Sequence, residues 1–277
     1  MMSTEFEKEY KHCLLNMMSW LHSFCVRNNI RYYALGGTML GAARHQGFIP
    51  WDDDIDIGVP RKDYEKLAHL LMNTKGRYRI ETPRSKAKDF IYTYSKLYDT
   101  ETTLIENSKT PIKRGVFIDI FPLDGLANSL EESRRRYNKI DYKRMLLVSR
   151  VTSVRSGRSI FKNAIALVSQ LVPSFIIDNK KLQLQIDDMC KKQDFDKCLF
   201  GGNLLGHWRF KEVMENRIMG KPTLYPFETI EIFGAENFDE YLTNLYGDWH
   251  KLPPKDKRVT IHDFKCNLHK SYLRDKG

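Results

Sequence analysis

Leu35-Gly36-Gly37-Thr38-Met39-Leu40-Gly41-Ala42-Ala43-Arg44 leads through a short loop into Ile49-Pro50-Trp51-Asp52-Asp53-Asp54-Ile55-Asp56-Ile57. Ile30 to Leu35 reads as a strand running into a glycine turn, and Met39 to His45 as a short helix. After a loop at Gly47 to Trp51, Ile55 to Val59 reads as a second strand. Side chains two apart on an extended chain share a face, so Asp54 and Asp56 project together while Ile55 and Ile57 turn to the core. Two carboxylates that close repel unless a cation lies between them. Hard Mg²⁺ or Mn²⁺ suits carboxylate oxygens and is commonly shared with substrate phosphates. The glycines allow close backbone approach to a phosphate, and the helix N-terminus offers free N–H groups. Alone, Gly-Gly-Thr is a turn and Asp-x-Asp a solvated face. Together, with isoleucines between the acids, they form the pattern of a phosphoryl-transfer site. Asp52 and Asp53 read as solvated residues or as a turn holding the strand entry.

Outward from this stretch, Thr4 to Arg27 has apolar residues at helical spacing, Tyr10, Leu14, Met17, Met18, Leu21 and Cys25 among them. Pro60 opens a helix over Arg61 to Met72. Tyr78 to Glu81, Phe90 to Tyr98 and Glu101 to Ile105 are predicted strands. Lys96 lies in the longest, either as a sheet residue or as a group that reaches a phosphate. In Val116-Phe117-Ile118-Asp119-Ile120-Phe121 an aspartate interrupts an apolar strand, which is costly without a partner. A cation held by Asp54 and Asp56 would supply one, so Asp119 is the third carboxylate. Asp124, before Gly125, reads first as a turn residue and second as a support of the site.

Ser129 and Glu132 form a capping box for a basic helix with Arg134-Arg135-Arg136, Lys139, Lys143 and Arg144, read as a solvated face or as a docking surface for an anionic acceptor or membrane. Two more helices are predicted over 158–195, and a small hairpin over Phe227 to Phe233. Trp208, Tyr246 and Trp249 read as packing residues whose faces would also suit a quaternary ammonium group. His262 by itself reads as structural.

A chain of 277 residues with 42% hydrophobic and 29% charged residues is long and apolar enough to bury a full core. Its net charge of +10 points to an anionic partner without choosing among nucleotide, nucleic acid, glycan and membrane surface. Cys13, Cys25, Cys190, Cys198 and Cys266 are scattered, without zinc-ligand spacing, which suits reduced thiols in the cytoplasm. The polar N-terminus is unlike a secretory signal, and the most apolar run, Ile160 to Ile177, is interrupted by polar residues and Pro173.

The block from Leu35 to Ile57, with Val116 to Gly125 and with Tyr246-Gly247-Asp248-Trp249, Pro253-Pro254 and His262, resembles the LicD/fukutin-related phosphotransferases of the nucleotidyltransferase-fold superfamily. The resemblance implies an α+β (mixed α/β) fold: a nucleotidyltransferase-like core, a twisted mixed sheet flanked by helices, and a largely helical C-terminal part. It implies one LicD-like domain over 1–277, with the N-terminal helix and core in 1–125 and the rest completing the site. Bacterial members move phosphocholine from CDP-choline to lipopolysaccharide or teichoic acid, and fukutin-like members move ribitol phosphate. With neither a membrane anchor nor a cysteine-rich zinc loop in view, the bacterial type fits better.

Carried onto this chain, the resemblance makes Asp54, Asp56 and Asp119 the catalytic and Mg²⁺ (or Mn²⁺) ligands. Gly36, Gly37 and Thr38 hold the diphosphate of a CDP-alcohol. An acceptor hydroxyl, deprotonated with help from Asp119, attacks the distal phosphorus and CMP leaves. Arg44 and Lys96 neutralise the diphosphate, with Arg44 also able to pair with the Asp52/Asp53 turn. Trp51 and His262 complete the substrate contacts, and CDP-choline is the favoured donor. The expected acceptor is an anionic surface glycan, the expected place the cytoplasm with peripheral contact to the inner membrane face. A nucleotidylyltransferase attaching NMP to a small acceptor is the first alternative. A basic nucleic-acid-binding protein is the second, and it leaves the three aspartates unexplained; no specific nucleic-acid partner is expected.

Overall fold

The computed structural model describes residues 4–87, 89–106, 111–152, 159–173, 175–258 and 264–273. Helix α1 (Thr4–Arg27) buries the stripe from Tyr10 to Cys25 against the sheet, as its spacing predicts. Strand β1 is only Tyr33–Ala34, and α2 (Gly36–His45) begins at the glycines rather than at Met39. Gly36-Gly37-Thr38 is therefore the first turn of a helix and not a separate loop. Gly36 takes φ +48°, a left-handed value that suits a residue without Cβ at the sharp entry from β1. β2 (Asp56–Pro60) starts one residue later than expected, so Asp54 precedes the strand.

Helix α3 (Arg61–Met72) follows, then β3 (Tyr78–Glu81), β4 (Ser95–Asp99), β5 (Thr103–Glu106), β6 (Ile112–Arg114) and β7 (Phe117–Ala127). The strand expected from Phe90 to Tyr98 is thus reduced to its second half. The carbonyls of Phe90 and Tyr92 accept from the Gln183 amide instead of joining a ladder. Helices α4 (Leu130–Val151), α5 (Ile160–Leu171) and α6 (Asn179–Cys190) come next. Ser129 Oγ accepts from the Glu132 N–H at 3.3 Å, the expected cap of α4. The last part holds β8 (Phe200–Asn203), β9 (Val213–Glu215), β10 (Thr223–Phe227), β11 (Ile230–Gly234), α7 (Phe238–Tyr246) and β12 (Phe264–Asn267). A hairpin is found, but as β10–β11 over Thr223–Gly234 with its turn at Glu228 and Thr229, so its first strand lies before the expected start at Phe227.

The main sheet runs β1-β2-β7-β4-β3, with β8 on the far half of β7 and β9 beyond it. β2 and β7 are parallel and the other pairs antiparallel, so the sheet is mixed. β7 is the keystone: its first half is flanked by β2 and β4, its second half pairs with β8. A smaller sheet, β12-β5-β6, stands apart. This is the expected mixed α/β architecture, with the C-terminal part contributing strands as well as helices.

Two aspartates on β7 have opposite fates. Asp119 and Asp124 are an odd number of residues apart and so face opposite sides of the pleat. Asp124 is not a turn residue: it is fully buried within the strand and held by both arms of Arg61, Nε to Oδ1 at 2.8 Å and Nη2 to Oδ2 at 2.6 Å. Arg61 also reaches Asp187 of α6 at 2.8 Å, which ties α3, β7 and α6 together. The basic residues of α4 are mostly spent inside the fold. Arg134 stacks on the Phe210 ring, Arg136 bonds the Leu126 carbonyl and Glu132, Lys143 bonds Gln185, and Arg144 bonds Asp141 and the carbonyls of Leu205 and Gly206. That leaves little of the row for binding a nucleic acid.

Candidate active site

The parallel pairing of β2 with β7 sets Asp56 directly beside Asp119, and the antiparallel pairing of β4 with β7 sets Lys96 on the other side of Asp119. The Asp119 N–H donates to the Ile55 carbonyl at 3.0 Å, carrying the ladder back toward Asp54. Burial, then the charges of Asp54, Asp119 and Asp52, push the Asp56 carboxyl well above the usual carboxylate range. An acid so crowded by like charges is a site short of positive charge.

Lys96 answers part of that need. It is buried, with Nζ 2.9 Å from Asp119 Oδ1 and 3.6 Å from Glu106, and 3.3 Å from the centre of the Phe117 ring. The expectation that Lys96 reaches a substrate phosphate gives way here: its ammonium is held by Asp119 below the cavity surface. Thr38 is likewise turned inward, its hydroxyl accepting the Asp56 N–H at 2.9 Å and fixing α2 to β2. The Gly36 N–H donates to the Tyr241 hydroxyl at 2.9 Å rather than standing open to a phosphate.

In front of these residues lies a cavity of about 620 Å³. Its acidic floor is Asp52, Asp54 and Asp56, next to Gly37. Trp51, His207, Trp208, Tyr246 and Trp249 are its aromatic lining, and Arg44, Lys251 and Lys257 its cationic lining. At Gly37 the Asp52 side chain comes close: a Cβ there would lie 2.4 Å from Asp52 Oδ2 and would make that carboxylate shift. The Asp52 carboxylate thus sits against the first turn of α2, where the helix dipole favours negative charge. Arg44 does not turn to the Asp52/Asp53 pair. Its guanidinium donates to the carbonyls of Trp249 at 2.8 Å and Lys251 at 3.5 Å, stapling the segment after α7 over the end of α2. Trp208 packs edge-on against Tyr246 at 5.1 Å, and Trp249 Nε1 donates to Asp239 at 2.9 Å. Trp51 lies under the Arg258 guanidinium, 5.6 Å from the ring centre. His262 lies outside the described residues.

Among the described residues no three His, Cys, Asp or Glu side chains converge as a ready cage for a metal. Of the three expected carboxylates, Asp54 and Asp56 line the cavity, and Asp119 is the strand partner of Asp56 and the ion-pair partner of Lys96. The Asp54 and Asp56 pair suits a hard divalent cation of the kind that takes one or two carboxylates and completes its shell with water and substrate phosphates. Asp54 and Asp56 line the same cavity, and a bound cation there would offset the like charge of the neighbouring acids.

Glu212, His207, Lys251 and Lys257 were not singled out from the sequence. Glu212 is buried beneath the loop that carries His207 and Trp208. It accepts the Trp208 N–H at 2.8 Å, and burial pushes its carboxyl up to about 7. Nothing in its neighbourhood of sequence announces this, because the loop closes on it only in the fold.

Residues 29–145 match the family model described as LicD/FKTN/FKRP, nucleotidyltransferase domain. The chain is thus similar to LicD-type transferases, over residues 29–145 by the family model and along nearly its whole length by identity. Over 263 residues it is 28% identical to the lipopolysaccharide cholinephosphotransferase LicD of Haemophilus influenzae, covering 92% of this chain and 95% of that protein. A 41-residue stretch is 53% identical to the ribitol 5-phosphate transferase FKRP of mouse and of human, covering 15% of this chain and 8% of each of those proteins.

Proposed function

We propose that the protein transfers phosphocholine, or a similar alcohol phosphate, from a CDP-linked donor to a hydroxyl of a cell-surface glycan such as lipopolysaccharide, teichoic acid or capsule, releasing CMP. The observation that carries this reading is a cavity in which carboxylates, aromatic rings and cationic side chains meet. A nucleoside diphosphate ester offers a matching set: a flat base, a diphosphate and, for choline, a quaternary ammonium group. The likeness to a cholinephosphotransferase along nearly the whole chain supports the same choice. In this proposal residues 1–277 act as one LicD-like domain with a nucleotidyltransferase-like core, since the cavity draws on residues near 37–56 and near 207–257 alike.

Asp54 and Asp56 would hold Mg²⁺ or Mn²⁺ at the diphosphate, and such an ion supplies Lewis-acid charge to the phosphoryl oxygens when bound. Arg44, Lys251 and Lys257 draw the anionic donor to the cavity and offset charge that builds on the leaving CMP. Trp51, Trp208, Tyr246 and Trp249 present faces to the base or to the trimethylammonium group. Asp54 and Asp56 keep the contact with reactants, whereas Asp119 sets the charge that Asp56 feels and is itself held by Lys96. In this proposal the transfer takes place in the cytoplasm, with the protein in peripheral contact with the inner membrane face. Five free cysteines accord with a reducing compartment, and among the described residues no helix is long and apolar enough to cross a membrane.

The test is CMP release from a panel of CDP-alcohols with Mg²⁺, with and without EDTA, and with water or extracts of surface glycan as acceptor. EDTA-sensitive CMP from CDP-choline supports the proposal in full. CMP from CDP-ribitol or CDP-glycerol keeps the reaction and changes the alcohol. Pyrophosphate from a nucleoside triphosphate, with no CMP from any donor, overturns it in favour of nucleotidylyl transfer.

A further inference from the structure

Among the described side chains of helix α5 and of the segment after it, the burial pattern is inverted. Ala166 and Ser169 are buried, while Val168, Leu171, Phe175 and Ile176 are 66%, 80%, 87% and 63% exposed. A helix packed on a protein core buries its large apolar side chains and shows its small and polar ones to water. Here the order is reversed, and the reversal is anchored by polar bonds. The Arg150 guanidinium of α4 donates to the carbonyls of Ser169, Val172 and Ile177, and the Gln170 amide donates to those of Ser149 and Thr152. These bonds fix which side of α5 meets α4. The aliphatic side is left for something else.

Charge says what. The segment 151–177, from the end of α4 through α5 to Ile177, contains Arg155, Arg158 and Lys162 and no Asp or Glu. A second copy of the chain would bring the same positive charge against itself. An anionic bilayer surface matches both properties, offering negative headgroups to the cations and an acyl boundary to the aliphatic side chains.

We propose that α5 and the following Phe175–Ile176 are the seat on which the protein lies on an anionic membrane. This deepens the peripheral-membrane reading above and rests on it. It moves the docking element from α4, whose cations are engaged within the fold, to α5. α5 has 12 residues, too few to span a bilayer, so the contact is one of surface insertion.

The experiment is co-sedimentation of the full chain with vesicles of phosphatidylglycerol and phosphatidylethanolamine, against vesicles of phosphatidylcholine alone. Wild type is expected to bind the anionic vesicles and to be weakened by salt. Leu171→Glu and Phe175→Glu are each expected to lower the partition roughly tenfold or more, because each places a charge where an apolar group inserts. Thermal unfolding and CMP release from a soluble donor should stay unchanged in both variants, since neither residue lines the cavity. If these variants bind as wild type while Arg135→Glu/Lys139→Glu on α4 abolishes binding, the α5 assignment is overturned and the membrane reading stands. If wild type binds no vesicle, both fall, and the CMP assay still reports separately on the chemistry. A concentration-dependent dimer that Leu171→Glu dissolves, with no vesicle binding, overturns the proposal in favour of self-association.

Discussion

Lys96 Nζ lies 2.9 Å from Asp119 Oδ1, and the two residues are direct partners across β4 and β7. One step further across the sheet, Asp119 is the direct partner of Asp56 on β2. Lysine, aspartate and aspartate therefore stand in a row over three adjacent strands, with only the last on the cavity surface.

Removing the cation from that row should be costly. Lys96→Met keeps the length of the side chain and leaves Asp119 buried among acids without its ion pair. The loss of one member of such a pair costs about 3–5 kcal/mol. We expect a lower urea midpoint for Lys96→Met, with much of the loss recovered in Lys96→Met/Asp119→Asn.

Asp56→Asn should separate function from stability. Burial and like charges already hold the Asp56 carboxyl in a strained state, so its neutral isostere should melt at the same temperature as wild type or higher. CMP release should fall by about three orders of magnitude, since roughly 4 kcal/mol of transition-state stabilisation depends on that carboxylate. A stable variant with near wild-type turnover would sink the assignment.

Asp124→Ala should do the opposite. It leaves Arg61 buried opposite Asp187 alone, and we expect about 3–5 kcal/mol of destabilisation by chemical denaturation. Turnover per folded molecule should be preserved, because Asp124 faces away from the cavity.

Glu212 gives the fold a pH dependence of known sign. Its ordinary value of 4.5 is raised to about 7 in the folded protein, chiefly by burial. The folded state then holds this proton more tightly than the unfolded chain does. Its contribution is full below pH 4.5, falls as pH rises toward 7 and is lost above it. The span is at most about 3 kcal/mol, from the size of the shift. Glu212→Gln should flatten unfolding stability between those limits, measured by denaturant titration across pH.

Trp208→Ala should act on donor binding more than on chemistry. The indole wall contributes stacking or cation–π attraction of about 1–2 kcal/mol. KM for CDP-choline is expected to rise roughly 5- to 30-fold with kcat little changed.

From its sequence alone this chain determined the elements with strong periodicity and the motif with strong chemistry. The stripe of α1, the cap at Ser129 and the order strand, glycines, helix, acids were all legible, because each depends on neighbours within a turn or a pleat. Asp54, Asp56 and Asp119 could be marked as one group because an acid amid isoleucines is costly wherever it folds. Which of them faces reactants was decided only in three dimensions. The register of β2, β7 and β4 gave Asp119 to Lys96, and the odd spacing along β7 sent Asp124 to Arg61. The half of the cavity near 207–257 is brought to α2 by contacts between residues about two hundred positions apart, such as Arg44 with the Trp249 carbonyl and Gly36 with Tyr241. Such contacts leave no local period in the sequence. Only packing, by closing the chain on itself, sets them.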